Sequence, residues 1–308
     1  MFAIRPARSP DPTLTGTVLS RVVRRRFAGP AEFSRDPEHP AQLRAYLADM
    51  VRPYGLPLRE GAFEDETGHS YGEMAAALIR ALVSPEEPVD LLVLAFAVPD
   101  IRPGRATATY LAEVCPGHPF ALAVSDQGTA TGFAGLRVLR EYARTGASSR
   151  ALLLVAEQES HHHPPADPVA LPTGHTAVAL LCGGAGRAQV GEVRQRPGLP
   201  PERVTDQLAT DMVDLAGADE EIVLIVGGGI TGGEPERLLA GPPRVAELRT
   251  APPGQPCTGV WWELAGVLSD PPAARRVVLA DYDPTLRYLS LCAIDLTPPG
   301  PARTDPSI

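Results

Sequence analysis

The sequence predicts an α/β protein made of two similar halves, each a mixed sheet flanked by helices. Three observations carry this. Short apolar runs of strand length alternate with stretches of helical periodicity. The runs are nearly unbroken Val, Leu, Ile and Ala, as in strands covered on both faces. A strand–loop–strand unit also recurs: "SRALLLVAEQES" before "TAVALL" is matched about 125 residues later by "ARRVVLADYDP" before "LRYLSLCAI".

Residues 1–60 resist division, because Pro and Arg interrupt any period. Within them "SRVVRRR", with Arg21, Arg24, Arg25 and Arg26, reads as a solvated face. Its alternative is a docking patch for a phosphate-bearing partner such as coenzyme A or an acidic carrier protein. Tyr71–Val83 is predicted helical, with Met74, Leu78 and Leu82 on one stripe. Strands are expected at Leu91–Ala97 and Phe120–Val124. Gly132–Arg144 is apolar around most of its girth (Phe133, Leu136, Leu139, Tyr142), which implies a buried helix. Strands at Ala151–Ala156 and Thr176–Leu181 close the first half, and "CGGAGRAQ" divides residues 1–185 from 186–308.

The second half repeats the order. A helix over Glu202–Ala216 follows Pro200 and Pro201, aligns Val204, Leu208, Met212 and Leu215, and stops at Gly217. Strands are expected at Ile222–Val226, Val277–Ala280 and Tyr288–Ile294. A helix over Gly259–Leu268 carries Trp261 and Trp262, which read as core or interface residues. Each half is then a βαβαββ unit, and the two stack their sheets around central helices.

Composition narrows the function classes. A chain of 308 residues can hold two domains or one duplicated core. The net charge of −9 argues against general nucleic-acid binding. No apolar run reaches the roughly 18 residues of a membrane span. "MFAIRPARSPDPTLTG" lacks the apolar stretch of a signal peptide, so a cytoplasmic location is expected. Cys115, Cys182, Cys257 and Cys292 share no short spacing and suggest neither a disulfide framework nor a zinc site.

The most informative stretch is "AVSDQGTATGFAGL", residues 123–136. It reads as a strand end, a glycine turn and the start of the buried helix, the place where an acyl-transferring enzyme holds a nucleophile. With three further stretches it resembles the thiolase fold, and more narrowly the beta-ketoacyl-ACP synthase III branch. Those stretches are "SYGEMAAALIRALV…VDLLVLAFAVPDIRPGRATATYLAE", "LPTGHTAVALLCGG" and "GQPCTGVWWELAGVL". The resemblance covers about residues 65–296 and implies duplicated halves layered α-β-α-β-α.

It also implies chemistry on an acyl thioester. In that family a Cys at the helix N-terminus attacks the thioester, while a His and an Asn, or two His, polarise the second substrate. Counting back from "RTG", the Cys position falls on Thr129; aligning on "GF" gives Ala130. Where the His would follow "EIVLIV", this chain reads "GGGITGG", Gly227–Gly233. The Asn position falls on Gln255, and the family's last glycine-rich loop is replaced by "DYDPTL", Asp281–Leu286.

Thr129 is therefore a candidate nucleophile, or a helix cap. Ser125 offers a second hydroxyl, and Asp126 and Gln127 are candidates for orienting a base or holding a ligand amide. His175 is a candidate acid/base group or a structural hydrogen-bonding residue. Gln255 and Cys257 are candidate substrate-contacting residues. "ESHHHPP", with Glu159 and His161–His163, reads as a solvated loop rather than a metal site, since adjacent histidines do not converge from a strand. The glycine run Gly227–Gly229 is not expected to bind a dinucleotide, because Glu247, at the right distance, does not follow a clean second strand.

Two functions follow from the resemblance. The first, and preferred, is a synthase III-like acyltransferase with an altered nucleophile, acting in polyketide or fatty-acid-type specialised metabolism. Its substrate would be a CoA or phosphopantetheine thioester, its partner an acyl carrier protein, and it would need no cofactor of its own. The second is a non-catalytic partner of an active synthase, like a chain-length factor. Either implies a homodimer or a heterodimer with a related synthase, through the edge of the N-terminal sheet.

Overall fold

The computed structural model of the protein describes residues 17–29, 31, 39–57, 68–102, 104–160, 170–230 and 237–297. The first half runs β1 (Thr17–Phe27), α1 (His39–Val51), α2 (Tyr71–Leu82), β2 (Leu91–Ala95), α3 (Thr107–Val114), β3 (Phe120–Val124), α4 (Thr131–Arg144), β4 (Ala151–Glu157) and β5 (His175–Cys182). The second runs β6 (Ala188–Arg196), α5 (Val204–Ala216), β7 (Glu221–Val226), β8 (Arg244–Thr250), α6 (Gly259–Ser269), β9 (Arg276–Asp283) and β10 (Tyr288–Leu296).

The strand order β3-β2-β4-β5-β1-β6-β10-β9-β7-β8 makes the duplication visible. Read outward from the centre, β1-β5-β4-β2-β3 and β6-β10-β9-β7-β8 are the same arrangement. In each half the three outer, helix-linked strands are parallel, and the last two strands in sequence pair antiparallel. The halves join where β1 pairs with β6 over Thr17–Leu19 alone.

Three apolar clusters define the layers. Alternate residues of a strand face opposite sides, so each sheet feeds two clusters. Val93, Val155 and Val178 of the first sheet and Val223, Leu279 and Ile294 of the second meet α4 and α6 in the middle. Leu92, Leu94 and Leu152 meet α2 and α3 on one outside. Leu224, Val278 and Leu289 meet α5 on the other. This is the α-β-α-β-α stack expected from the resemblance.

Local chemistry explains the helices that position the site. Ser70 and Glu73 form a reciprocal capping box that starts α2, a device that stabilises a helix by about 1 kcal/mol. The two central helices touch closely: Phe133 and Trp261 have ring centroids 5.0 Å apart. A Cβ at Gly132 would collide with Trp261, so glycine is what permits this approach. Trp261 is fully buried and belongs to the core.

"SRVVRRR" lies in a strand, β1, and its four arginines are exposed, as a solvated face requires. Two other expectations need correction. The segment around Glu247 is also a strand, β8, yet Glu247 pairs with Arg249 at 2.6 Å in its middle and makes no ribose-binding corner. "FALAV" is apolar but not covered on both faces: β3 is a sheet edge, and Phe120 is 60% exposed.

Candidate functional site

At the end of β3 the chain turns through Asp126 (φ +61°) and Gly128 (φ +52°). A short 3-10 turn, Gly128–Ala130, then leads into α4. Left-handed backbone favours glycine, and here Gly128 is needed twice over, since a Cβ would collide with Asp283 Oδ2.

Asp283 ends β9, in the other half of the chain. Its Oδ2 accepts from the Thr129 N–H at 3.1 Å, while its Oδ1 accepts from Thr285 N–H at 3.0 Å and Leu286 N–H at 2.9 Å. The amide-rich end of the α4 segment, where a helix attracts negative charge, thus already holds a carboxylate.

The second half answers in kind. Glu157 ends β4, and its buried carboxylate accepts from Cys257 N–H at 2.8 Å, Thr258 N–H at 3.3 Å and the Thr258 hydroxyl. These groups lie at the N-terminus of α6. Each half therefore sends a carboxylate to the N-terminus of the other half's central helix. Burial pushes the Glu157 carboxyl up to about 7, against the lowering effect of its three donors. Burial likewise drives Asp281 well above the carboxylate range. Asp281 lies against Gly227, where a Cβ would collide with it.

Cys257 projects between these groups. Its thiol donates to the Gly128 carbonyl at 3.6 Å. Burial first, then Glu157, Asp281 and Asp283, hold its pKa well above the ordinary value, so it stays a thiol. Reactive cysteines need the opposite surroundings, exposed and electropositive.

Thr129 lines two cavities. One of about 640 Å³ is bounded by Gly228, Gly229, Ala251, Gln255 and Tyr282 among others, and its surface is mainly apolar. The other, about 230 Å³, includes Asp126, Cys257, Asp283 and Leu286. The larger is within the range of small-molecule sites. The Thr129 hydroxyl oxygen is itself sealed from solvent and makes no hydrogen bond among the described residues.

The elbow thus brings together Thr129, Asp126, Gln255 and Cys257 around these cavities. Ser125 lines neither, and its hydroxyl donates to Asp126 Oδ2 at 2.9 Å. Gln127 is exposed. His175 is buried at the start of β5 and lines neither cavity. Its Nε2 lies 3.5 Å from Glu159 Oε1, and its ring meets His69 edge-on with centroids 5.2 Å apart. His161–His163 fall outside the described residues. Among the described residues, no group of three or more His, Cys, Asp or Glu is placed to hold a metal ion, and no helix is long and apolar enough to cross a membrane.

The candidates that the sequence suggests include neither Glu157 nor Asp283. Their signal is faint: in the recurring unit, each apolar strand run closes on a carboxylate, "LLLVAE" and "VVLADYD".

No family profile matches the chain, and no curated protein matches it in sequence. Solved structures do match. The chain is similar to AbyA1, a tetronic acid condensing enzyme, at 19% identity and TM-score 0.61, over 91% of this chain and 99% of that one. It is similar to 3-oxoacyl-(acyl carrier protein) synthase III of Pseudomonas aeruginosa PAO1 at 18% identity and TM-score 0.58, over 93% and 100%. It is also similar to the acyltransferase ChlB3 at 13% identity and TM-score 0.60, over 92% and 98%. The fold is accordingly the thiolase fold, in the form taken by synthase III-like condensing and acyl-transferring enzymes.

Proposed function

We propose that the chain is a synthase III-like subunit that accommodates an acyl group without forming an acyl-enzyme, as the non-catalytic partner of an active synthase. The observation that carries this reading is the Thr129–Asp283 hydrogen bond. Thioester attack needs a deprotonated nucleophile and free N–H donors where the oxyanion develops. At this elbow the donor is engaged by a carboxylate, whose charge would repel an oxyanion. The hydroxyl is sealed, and among the described residues neither cavity that Thr129 lines contains a histidine.

The apolar cavity beside the elbow suits an acyl chain delivered as a CoA or phosphopantetheine thioester, from an acyl carrier protein in the second case. The bare apolar edge of β3 suits pairing with a related chain. A soluble, cytoplasmic heterodimer in polyketide or fatty-acid-type metabolism is the setting in which both features make sense.

A second reading keeps one observation in its favour. Thr129 lines both cavities at the start of the central helix. In that reading the chain is an acyltransferase with threonine as nucleophile. Intact-mass analysis after incubation with acyl-CoAs of several chain lengths separates the two. The partner reading expects no adduct, and expects co-purification with a cysteine-bearing synthase on co-expression. An acyl adduct that disappears in Thr129→Ala overturns it in favour of the acyltransferase.

A further inference from the structure

We propose that the open edge of β1, Arg21–Phe27, is a docking edge for an extended acidic segment of a partner protein, which adds to the sheet as a strand.

The edge is bare for a structural reason. β1 pairs with β5 along Leu19–Phe27, but with β6 only over Thr17–Leu19. Between Leu19 and Arg21 the register shifts, so Ser20 is a bulge, and its hydroxyl donates to Leu181 O at 3.1 Å. Bulges bend and twist a strand, and beyond this one β1 parts from β6. Among the described residues, no backbone hydrogen bond reaches Arg21–Phe27 from the side away from β5. The free edge is seven residues long, the length of an ordinary strand.

Cations flank this edge on both faces. Arg24 and Arg26 stand on one face, with their guanidinium carbons 4.6 Å and 4.9 Å from the Trp262 ring centroid. Arg24 also donates to the Trp262 carbonyl. With the Gln255 amide turned so that its oxygen faces the guanidinium, that oxygen accepts from Arg26 Nε at 3.2 Å and Nη2 at 3.1 Å. On the other face, Arg25 lies 4.8 Å over the Phe27 ring, and Arg21 donates to Leu82 O at 3.2 Å. The guanidinium groups are held by carbonyls, an amide and aromatic rings, none of which cancels their charge.

The charge is also left unbalanced. None of these four arginines has an ion-pair partner among the described residues, in a chain whose net charge is −9. Arg150, Arg194, Arg196, Arg249 and Arg276 all have one. Charged residues on an edge can serve merely to prevent aggregation, but that task does not require them to be fixed in place. Fixed cations alternating across a free edge match a strand whose acidic side chains alternate likewise. Backbone bonds would supply affinity, and the arginines selectivity.

The test uses the full-length chain and a fluorescein-labelled peptide of alternating Glu and Val. Saturable binding is expected, read by fluorescence anisotropy and weakening as salt rises. Amide exchange of Arg21–Phe27 in the unmodified protein should slow when the peptide is added. Arg24→Glu with Arg26→Glu should weaken binding by about tenfold or more, whereas Arg137→Glu with Arg203→Glu, an equal charge change elsewhere, should not. Arg24→Gln with Arg26→Gln serves if the first pair fails to fold. N-methylation of alternate peptide amides should abolish binding. Absence of binding, equal binding of the N-methylated peptide, or equal loss in the Arg137/Arg203 control each overturns the proposal. The last two would reduce the edge to general charge attraction, and the first to edge protection.

Discussion

The Thr129 amide and the Asp283 carboxylate meet across 3.1 Å, bringing the start of one half's central helix together with the end of a strand from the other. The reciprocal contact, Glu157 with the amides of Cys257 and Thr258, makes the arrangement two-way. A helix N-terminus draws much of its catalytic value from attracting a developing anion. Here both N-termini spend that attraction on internal carboxylates, so the elbow is stabilised as structure.

This can be read directly by putting a thiol at the elbow. Thr129→Cys should alkylate slowly near neutral pH, because Asp283 beside it favours the protonated thiol. Adding Asp283→Asn removes that charge, and the thiolate fraction should rise by about tenfold or more. Iodoacetamide rates against pH, with Cys257 blocked by its burial in both proteins, measure the difference. Equal rates in the single and double variants would remove the electrostatic argument against catalysis at residue 129.

Gly128 should tolerate no side chain. Alanine would need φ near +52° and would drive its Cβ into Asp283 Oδ2. Backbone strain of this kind costs about 1–3 kcal/mol, and loss of the Asp283 bonds adds to it. Gly128→Ala should therefore melt at clearly lower temperature, and part of the loss should return in Gly128→Ala with Asp283→Ala, where the obstruction is gone. No recovery would mean that backbone strain alone accounts for the glycine.

Glu157 gives the protein a pH signature. Its folded-state pKa is raised to about 7 from 4.5, chiefly by burial. The folded protein then binds a proton more readily than the unfolded chain, so this group's contribution is full below about 4.5 and is lost as pH rises through about 7. The corresponding free energy is about 3 kcal/mol at most. Asp281, raised by the same cause, acts in the same direction. Glu157→Gln should flatten the fall in melting temperature between pH 5 and 7, leaving only the slope from the other groups, on the order of a few degrees across that range. An unchanged slope would show that Glu157 is ionised throughout.

What the sequence disclosed follows burial. Strands β2, β4, β5, β7 and β9 are nearly covered on both sides and spell themselves as unbroken apolar runs. β1, β6 and β8 are half-exposed, and "TVLSRVVRRRF", "AQVGEVRQR" and "RVAELRT" look like charged connections until their neighbours are known. At the site, the elbow was legible because its turn is local: Gly128 and the onset of α4 lie within a few residues. Asp283 and Glu157 were not, because their partners lie 154 and 100 residues away. Composition at either end carries no sign of which amide a carboxylate will meet. Which way the His175 ring turns is equally illegible, because its neighbour His69 lies far away in sequence.

β3 makes the last prediction. Its five residues, Phe-Ala-Leu-Ala-Val, carry no charge and form the outer edge of the sheet. Phe120 stacks on Tyr142 with centroids 6.1 Å apart and remains 60% exposed. An uncharged apolar edge invites another strand unless it is covered. A related chain bound there would bury Phe120 and complete the ladder, as the proposed partnership requires. Phe120→Asp with Ala123→Glu places charges on the more exposed positions of the edge, leaving the core-facing contacts of Leu122 and Val124 intact. Sedimentation velocity should show association in the parent protein, alone or with its co-expressed synthase, and monomer in the variant at the same concentration. Circular dichroism should be unchanged, because these side chains contribute little to the fold. Persistent association in the variant would move the interface away from β3.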